Sequence, residues 1–100
     1  MIVGVIRFDL RLFGTASLKQ KRSLVKRLLQ RIRSSCPVSM AEVGHGELLQ
    51  RCLLGGSMTS TSEALISSVF RSVEDIIASS GMVEIIDIEV EFNHYGDDFH

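Results

Sequence analysis

Two stretches of this chain repeat their apolar residues at helical spacing, and each lies between runs that read as strands, in the order strand, helix, strand, strand, helix, strand. That order constrains the fold more than any single motif. Two right-handed strand-helix-strand halves interleave most simply as one antiparallel sheet with both helices on the same face. The first helical stretch is Ser17 to Arg33, S-L-K-Q-K-R-S-L-V-K-R-L-L-Q-R-I-R. Ser17 followed three positions later by Gln20 has the form of a capping box, so the helix is expected to start at about Leu18. At 100° per residue, Leu18, Leu24, Val25, Leu28, Leu29 and Ile32 share one apolar arc. The helix should end at Ser34-Ser35-Cys36, because Pro37 has no amide donor and biases its predecessor away from helical geometry. Ser60-Thr61-Ser62-Glu63 repeats the capping-box form and opens the second helix. Its apolar set is Leu65, Ile66, Val69, Phe70, Val73, Ile76 and Ile77, and Gly81 supplies a left-handed stop.

The intervening runs carry the period of two expected of half-buried strands. In the first, Ile2, Ile6, Phe8, Leu10 and Leu12 fall on one side and Val3, Val5, Arg7, Asp9 and Arg11 on the other. The second, Val38 to Val43, leaves its facing open. Val38, Met40 and Glu42 share one side, and either a bulge or a solvent-facing carboxylate would accommodate Glu42. Arg51 to Thr59 is the third, with Cys52, Leu54 and Met58 inward and Gly55-Gly56 permitting a bulge or the close approach of another backbone. Met82 to Tyr95 is the fourth, with Ile86, Ile88, Val90 and Phe92 inward and Asp87, Glu89 and Glu91 outward. The expected fold is an α+β ferredoxin-like βαββαβ sandwich, a four-stranded antiparallel sheet in spatial order 4-1-3-2 with two helices on one face. One hundred residues make one such domain, over 1–95, followed by a flexible tail at 96–100. In that arrangement Arg7 and Arg11 should pair across to Asp87 and Glu89. Val3, Val5, Leu53, Val83 and Ile85 should lie on the open side of the sheet, where apolar residues are usually covered by a partner.

Charge is where the chain departs from an ordinary small domain. The net value is only −1, but seven of the eleven Lys and Arg residues lie between Ser17 and Arg33 with no acidic residue among them. Lys19, Arg22, Lys26 and Arg33 form a stripe beside the apolar arc. They provide either a contact surface for a polyanion or a solvated helix face. Lys21 falls inside the apolar arc at the first turn, where a snorkelling stem is expected ahead of the alternative, a buried functional ammonium. The Gly44 to Gln50 connection is the most site-like loop, and Leu48-Leu49 could pack there as one helical turn.

The pattern carries no metal or catalytic signature. His45, Glu47 and Cys52 have neither H-E-x-x-H nor paired-cysteine spacing, and Cys36 and Cys52 are expected as free thiols. Cys36 or Cys52 as a nucleophile would need an imidazole and an orienting partner beside it, and His45, His94 and His100 all lie in loops or near the end of the chain. The glycine pairs lack the further glycine or Lys-Ser/Thr of a phosphate cradle. A non-enzymatic domain without cofactor or metal is therefore expected. Met1-Ile2-Val3-Gly4 lacks the basic start of a signal peptide and no apolar run reaches the ~18 residues of a membrane span, so the default expectation is cytoplasmic, away from membranes.

The S-L-K-Q-K-R-S-L-V-K run of Ser17 to Lys26, the A-E-V of Ala41 to Val43, the L-x-Q-R ending at Arg51 and the opening M-I-V-G-V resemble the YlxP-like family. These are small bacterial proteins classed under a domain of unknown function, and the resemblance runs from Met1 to about Val90. It implies a ferredoxin-like fold and genes often found beside those of translation and ribosome-maturation factors, a neighbourhood that carries no mechanism. Carried over residue by residue, it draws attention to Lys19, Lys21, Arg22, Glu42 and Arg51. The chain departs from the family's usual loop at Gly46, Glu47 and Leu49, the last standing where an aromatic residue is usual.

Three functions from different classes follow. The first is binding of rRNA or a ribosomal particle through phosphate contacts from Lys19, Lys21, Arg22, Lys26 and Arg33, without DNA sequence readout. Base stacking on the open sheet is not expected, since Val3, Val5, Arg7, Leu53 and Ser57 stand where an RNA-recognition module carries aromatic rings. The second is protein interaction or homodimerisation through the open sheet face. The third, least favoured, is metabolite binding or catalysis at the His45 loop.

Overall fold

The computed structural model describes residues 1–96, so the predicted tail, from residue 97 onward, lies outside the described residues. Its elements are β1 (Ile2–Leu12), α1 (Leu18–Ser35), β2 (Ser39–Gly44), β3 (Arg51–Ser60), α2 (Glu63–Ala78) and β4 (Val83–His94). The sheet runs β2-β3-β1-β4 with every neighbour antiparallel, which is the predicted order read from the other edge. Both helices contribute buried residues to one core, so the fold is the ferredoxin-like sandwich. Strand alternation builds that core: Ile6, Phe8, Leu10 and Leu12 of β1 and Cys52 and Leu54 of β3 are buried beneath Leu24, Val25, Leu28, Leu29 and Ile32 of α1 and Ile66, Phe70, Val73 and Ile77 of α2. Gly4 lets α2 sit directly on β1, because a Cβ there would stand 2.4 Å from Cγ2 of Ile66.

Both helices start on serine caps. Ser17 Oγ accepts from the Gln20 amide at 3.1 Å, and Gln20 Oε1 reaches back to the Ala16 amide at 2.7 Å. The reciprocal bond therefore goes one residue further than in the usual box. At α2 the cap is Ser62, which accepts from the Leu65 amide at 3.2 Å, whereas Ser60 accepts from the Ser62 amide in the turn before it. The predicted Ser60–Glu63 box does not form. Leu65 is 51% exposed, outside the apolar set assigned to it, and Gly81 turns the chain at φ 81 as expected.

Two bulges correct the strand facings. In β4, Asp9 pairs with Asp87 but Leu10 pairs with Ile85, so Ile86 is the inserted residue. The alternation changes phase there. Val83 and Ile85 turn inward and pack against the core, while Ile86 is 40% exposed; neither Val83 nor Ile85 belongs to the open face. Of the two arginines expected beside Asp87 and Glu89, Arg7 pairs with Glu89, but Arg11 meets Glu84 at 3.9 Å, outside the expected pair. Val90 faces the helix layer yet is 44% exposed, because α2 does not reach over the sheet edge there. In β2 the register shifts between Glu42 and Gly44. Val43 is the inserted residue, 59% exposed, and Met40 and Glu42 both face the helices. Gly55-Gly56 carries no bulge; Gly56 instead gives room to the side chain of Met40. Among the described residues, no helix is long and apolar enough to cross a membrane.

Candidate phosphate-binding face

The cations of α1 separate into three groups by their angle around the helix. Arg22, Lys26 and Arg33 project on the side of β2, the edge strand, while Lys19, in the first turn, stands between that row and the flank that carries Arg27. Lys19, Arg22 and Lys26 are exposed and form no ion pair among the described residues. Arg33 is also exposed, but its Nη2 donates to the carbonyl of Met40 and ties the end of α1 to β2. Arg27 and Arg31 project on the opposite flank, toward the turn after α2, likewise without ion pairs. Reading the sequence missed these two as site residues, although their wheel positions, away from the apolar arc, already placed them on the surface.

Lys21 forms the third group and corrects the snorkelling expectation. Its side chain is 1% exposed, and its ammonium donates to the carbonyls of His45 at 2.5 Å and Gly46 at 3.3 Å while pairing with Glu42 Oε2 at 3.2 Å. The loop carbonyls cap the lysine where water would otherwise be needed, so the ammonium is removed from any surface interface. His45 presents its carbonyl from the left-handed region at φ 60, and Thr15 Oγ1 bonds the carbonyl of Leu49 at 2.6 Å. The loop folds as turns, with the Leu48 amide bonded to the His45 carbonyl, and not as a packed helical turn. Leu48 and Leu49 are 51% and 38% exposed.

Beside this tether, burial and then the Glu42 carboxylate, with its hydrogen bond, push the Cys52 thiol up to about 12. Burial also raises the Cys36 thiol. A thiol held protonated is a poor nucleophile. On the open side of the sheet, Arg51 Nη2 donates to both carboxylate oxygens of Asp9 at 2.9 Å, and His45 Nε2 approaches Asp9 Oδ1 at 3.8 Å. Of the positions highlighted by resemblance, Lys21 and Glu42 meet between α1 and the sheet, Arg51 lies on the sheet's other face, and Lys19 and Arg22 point to solvent. His45, Glu47 and Cys52 form no metal-ligating group among the described residues. The open face keeps Val3, Val5 and Leu53, crossed by ion-paired Arg7 and Glu89 and by Arg51 and Asp9.

Comparison with known proteins adds a family and a fold. The model of a family described as a protein of unknown function (DUF503) matches residues 3–90. The "Uncharacterized protein YlxP" of Bacillus subtilis (strain 168) is 28% identical over 83 residues, covering 83% of this chain and 90% of that protein. Among solved structures, a "putative Antibiotic biosynthesis monooxygenase" from Chloroflexus aurantiacus J-10-fl superimposes with a TM-score of 0.58 at 17% identity, covering 100% of each chain. A dimeric ferredoxin-like protein from an uncultured marine organism gives 0.42 at 10% identity, covering 93% of this chain and 94% of its own. At such identities the structural likeness concerns the fold alone.

Proposed function

The chain belongs to the DUF503 family, and from that premise we propose that it is a non-enzymatic domain that binds structured RNA, such as rRNA in a ribosomal particle, through phosphate contacts from α1. The observation that carries the reading is a partition of charge. Arg7, Arg11, Lys21 and Arg51 each have a carboxylate partner, whereas Lys19, Arg22 and Lys26 stand exposed with none among the described residues. Lys21 is not part of the contact set, and Arg33 contributes charge from a guanidinium already anchored to β2. The homodimer reading loses Val83 and Ile85 to the core, and the loop reading has a protonated, buried thiol in place of a nucleophile.

Binding of a structured RNA measured across a salt series tests the proposal. If three cations meet three phosphates, log affinity should fall against log salt with a slope of roughly −2 to −3. The double variant Arg22→Glu, Lys26→Glu should flatten that slope by about 1.4 to 1.8 and weaken binding at every salt concentration. A salt-independent affinity, or an unchanged one in the double variant, refutes it.

A further inference from the structure

On the α2-facing flank of α1 a groove runs from Gly14 to Ser34, three depressions merging through shared Leu24, Arg27, Arg31 and Met82. Its floor is apolar, from Leu24, Leu28 and Met82, and its wall carries Lys19, Arg27 and Arg31. Among the described residues, no carboxylate lines any part of it. The pocket between α2 and β4 differs: there Arg71 is accompanied by Glu74, so it has no preference for an anion. The stretch beneath Thr15 and Met82 has a volume of about 360 Å³, within the ~300 to 1,000 Å³ usual for ligand sites.

We infer that this groove holds a single-stranded segment of the RNA, with phosphates on Lys19, Arg27 and Arg31 and an unpaired base against Met82 and Leu24. The inference rests on the phosphate-binding reading and adds the class of RNA that α1 selects. A four-residue step along a helix rises about 6 Å, so Arg27 and Arg31 stand one phosphate repeat apart along a strand, and Lys19 lies two such repeats further on. An apolar floor beneath cations that form no ion pair among the described residues suits a partner that is anionic on one side and flat and apolar on the other. An unstacked nucleotide has that chemistry; a duplex keeps its bases inside the stack and presents only phosphates. Gln20 and Ser23 line the same stretch and supply donors and acceptors for a base edge. Gly14, at φ 77, keeps a Cβ away from Met82, where one would come within 3.2 Å of Cε. The Phe13 amide bonds the Met82 carbonyl at 3.0 Å, which fixes the backbone that carries Met82 beside the end of β1.

The test compares anisotropy titrations of an unstructured RNA of about eight nucleotides with a hairpin of equal phosphate count, using the full chain. The wild type should prefer the single strand by roughly tenfold. Arg27→Glu with Arg31→Glu, and separately Met82→Asp, should abolish that preference, whereas Arg22→Glu with Lys26→Glu should weaken both RNAs alike. Met82→Ser serves where the aspartate variant loses its cooperative thermal transition. Equal affinity of the wild type for the two RNAs, with the groove variants weakening both equally, overturns the groove and leaves the phosphate reading standing. Failure to bind either RNA overturns both. A poly-glutamate peptide bound as tightly as the single strand also overturns the groove's assignment to nucleic acid.

Discussion

Replacing Lys21 by methionine keeps the aliphatic stem and removes only the ammonium, so the variant measures what that buried charge does. Three groups lose their partner: the carbonyls of His45 and Gly46 and the Glu42 carboxylate. Removing one member of a fully buried ion pair costs ~3 to 5 kcal/mol. Glu42 retains 28% exposure, which lets water recover part of that, and the loop carbonyls can turn outward; we expect about 3 kcal/mol. For a domain of this size each kcal/mol lowers the melting temperature by about 4 to 8 °C, so the transition should fall by roughly 12 to 24 °C. Glu42→Gln should cost less, and Lys21→Met combined with Glu42→Leu should recover part of the loss, because no charge is then left unpaired. Urea denaturation with this double-mutant cycle and Lys26→Met as the exposed control supplies the measurement. If Lys21→Met falls within about 0.5 kcal/mol of the wild type, the ammonium is not buried and the loop is not tethered to α1.

Two further outcomes follow from the core. Because the folded Cys52 thiol is raised to about 12, the unfolded chain releases its proton first; the sulfur's contribution is intact below pH ~8.5 and declines by about 1.4 kcal/mol per unit from there toward the folded value. Cys52→Ala should remove that part of the slope in a pH series of denaturation curves, and an identical slope in the variant refutes it. Gly4→Ala should cost about 1 to 3 kcal/mol, since its Cβ would meet Ile66 Cγ2 at 2.4 Å. A melting temperature equal to wild type would mean that α2 is not seated on β1 at that point.

Architecture was legible where a single period dominates. The alternation from Ile2 to Leu12 and the helical arcs of Leu24 to Ile32 and Ile66 to Ile77 are each set by one face meeting one core, and the structure buries those residues. The strand facings that were misread lie where two periods meet. Ile85-Ile86 is an apolar doublet inside an alternating strand, a signature of an inserted residue, and reading through it reversed Val83 and Ile85. Val43 marked the same event in β2 only by leaving Glu42 on the core side. Lys21 could not be placed from sequence, because its neutralisation depends on loop carbonyls some twenty-five positions away whose orientation is set by the fold. Of the face itself, the exposed row Lys19, Arg22 and Lys26 was legible. Arg27 and Arg31 acquire significance only once the turn after α2 brings Ser80 and Met82 beside them to complete their groove.

The energetics of α1 also bear on its role. Arg22 and Lys26, and Arg27 and Arg31, are like-charged pairs four residues apart, each destabilising a helix by about 0.2 to 0.5 kcal/mol. The first turn of α1 contains no acidic residue but does contain Lys19, at the end of the helix where positive charge is disfavoured by about 0.3 to 1 kcal/mol. Selection for stability alone would replace any of these with glutamate or glutamine at no structural cost, since none touches the core. Where a cation lies on the sheet or is buried against it, Lys21 of α1 included, the chain does the reverse. It places Glu89 by Arg7, Asp9 by Arg51 and Glu42 by Lys21, so its means of neutralising cations are in use wherever the fold itself needs them. Repulsion confined to one helix, on a domain with nine carboxylates in residues 52–100, is relieved when an external anion occupies the face. Bound phosphate should therefore raise the stability of α1 more than that of the sheet.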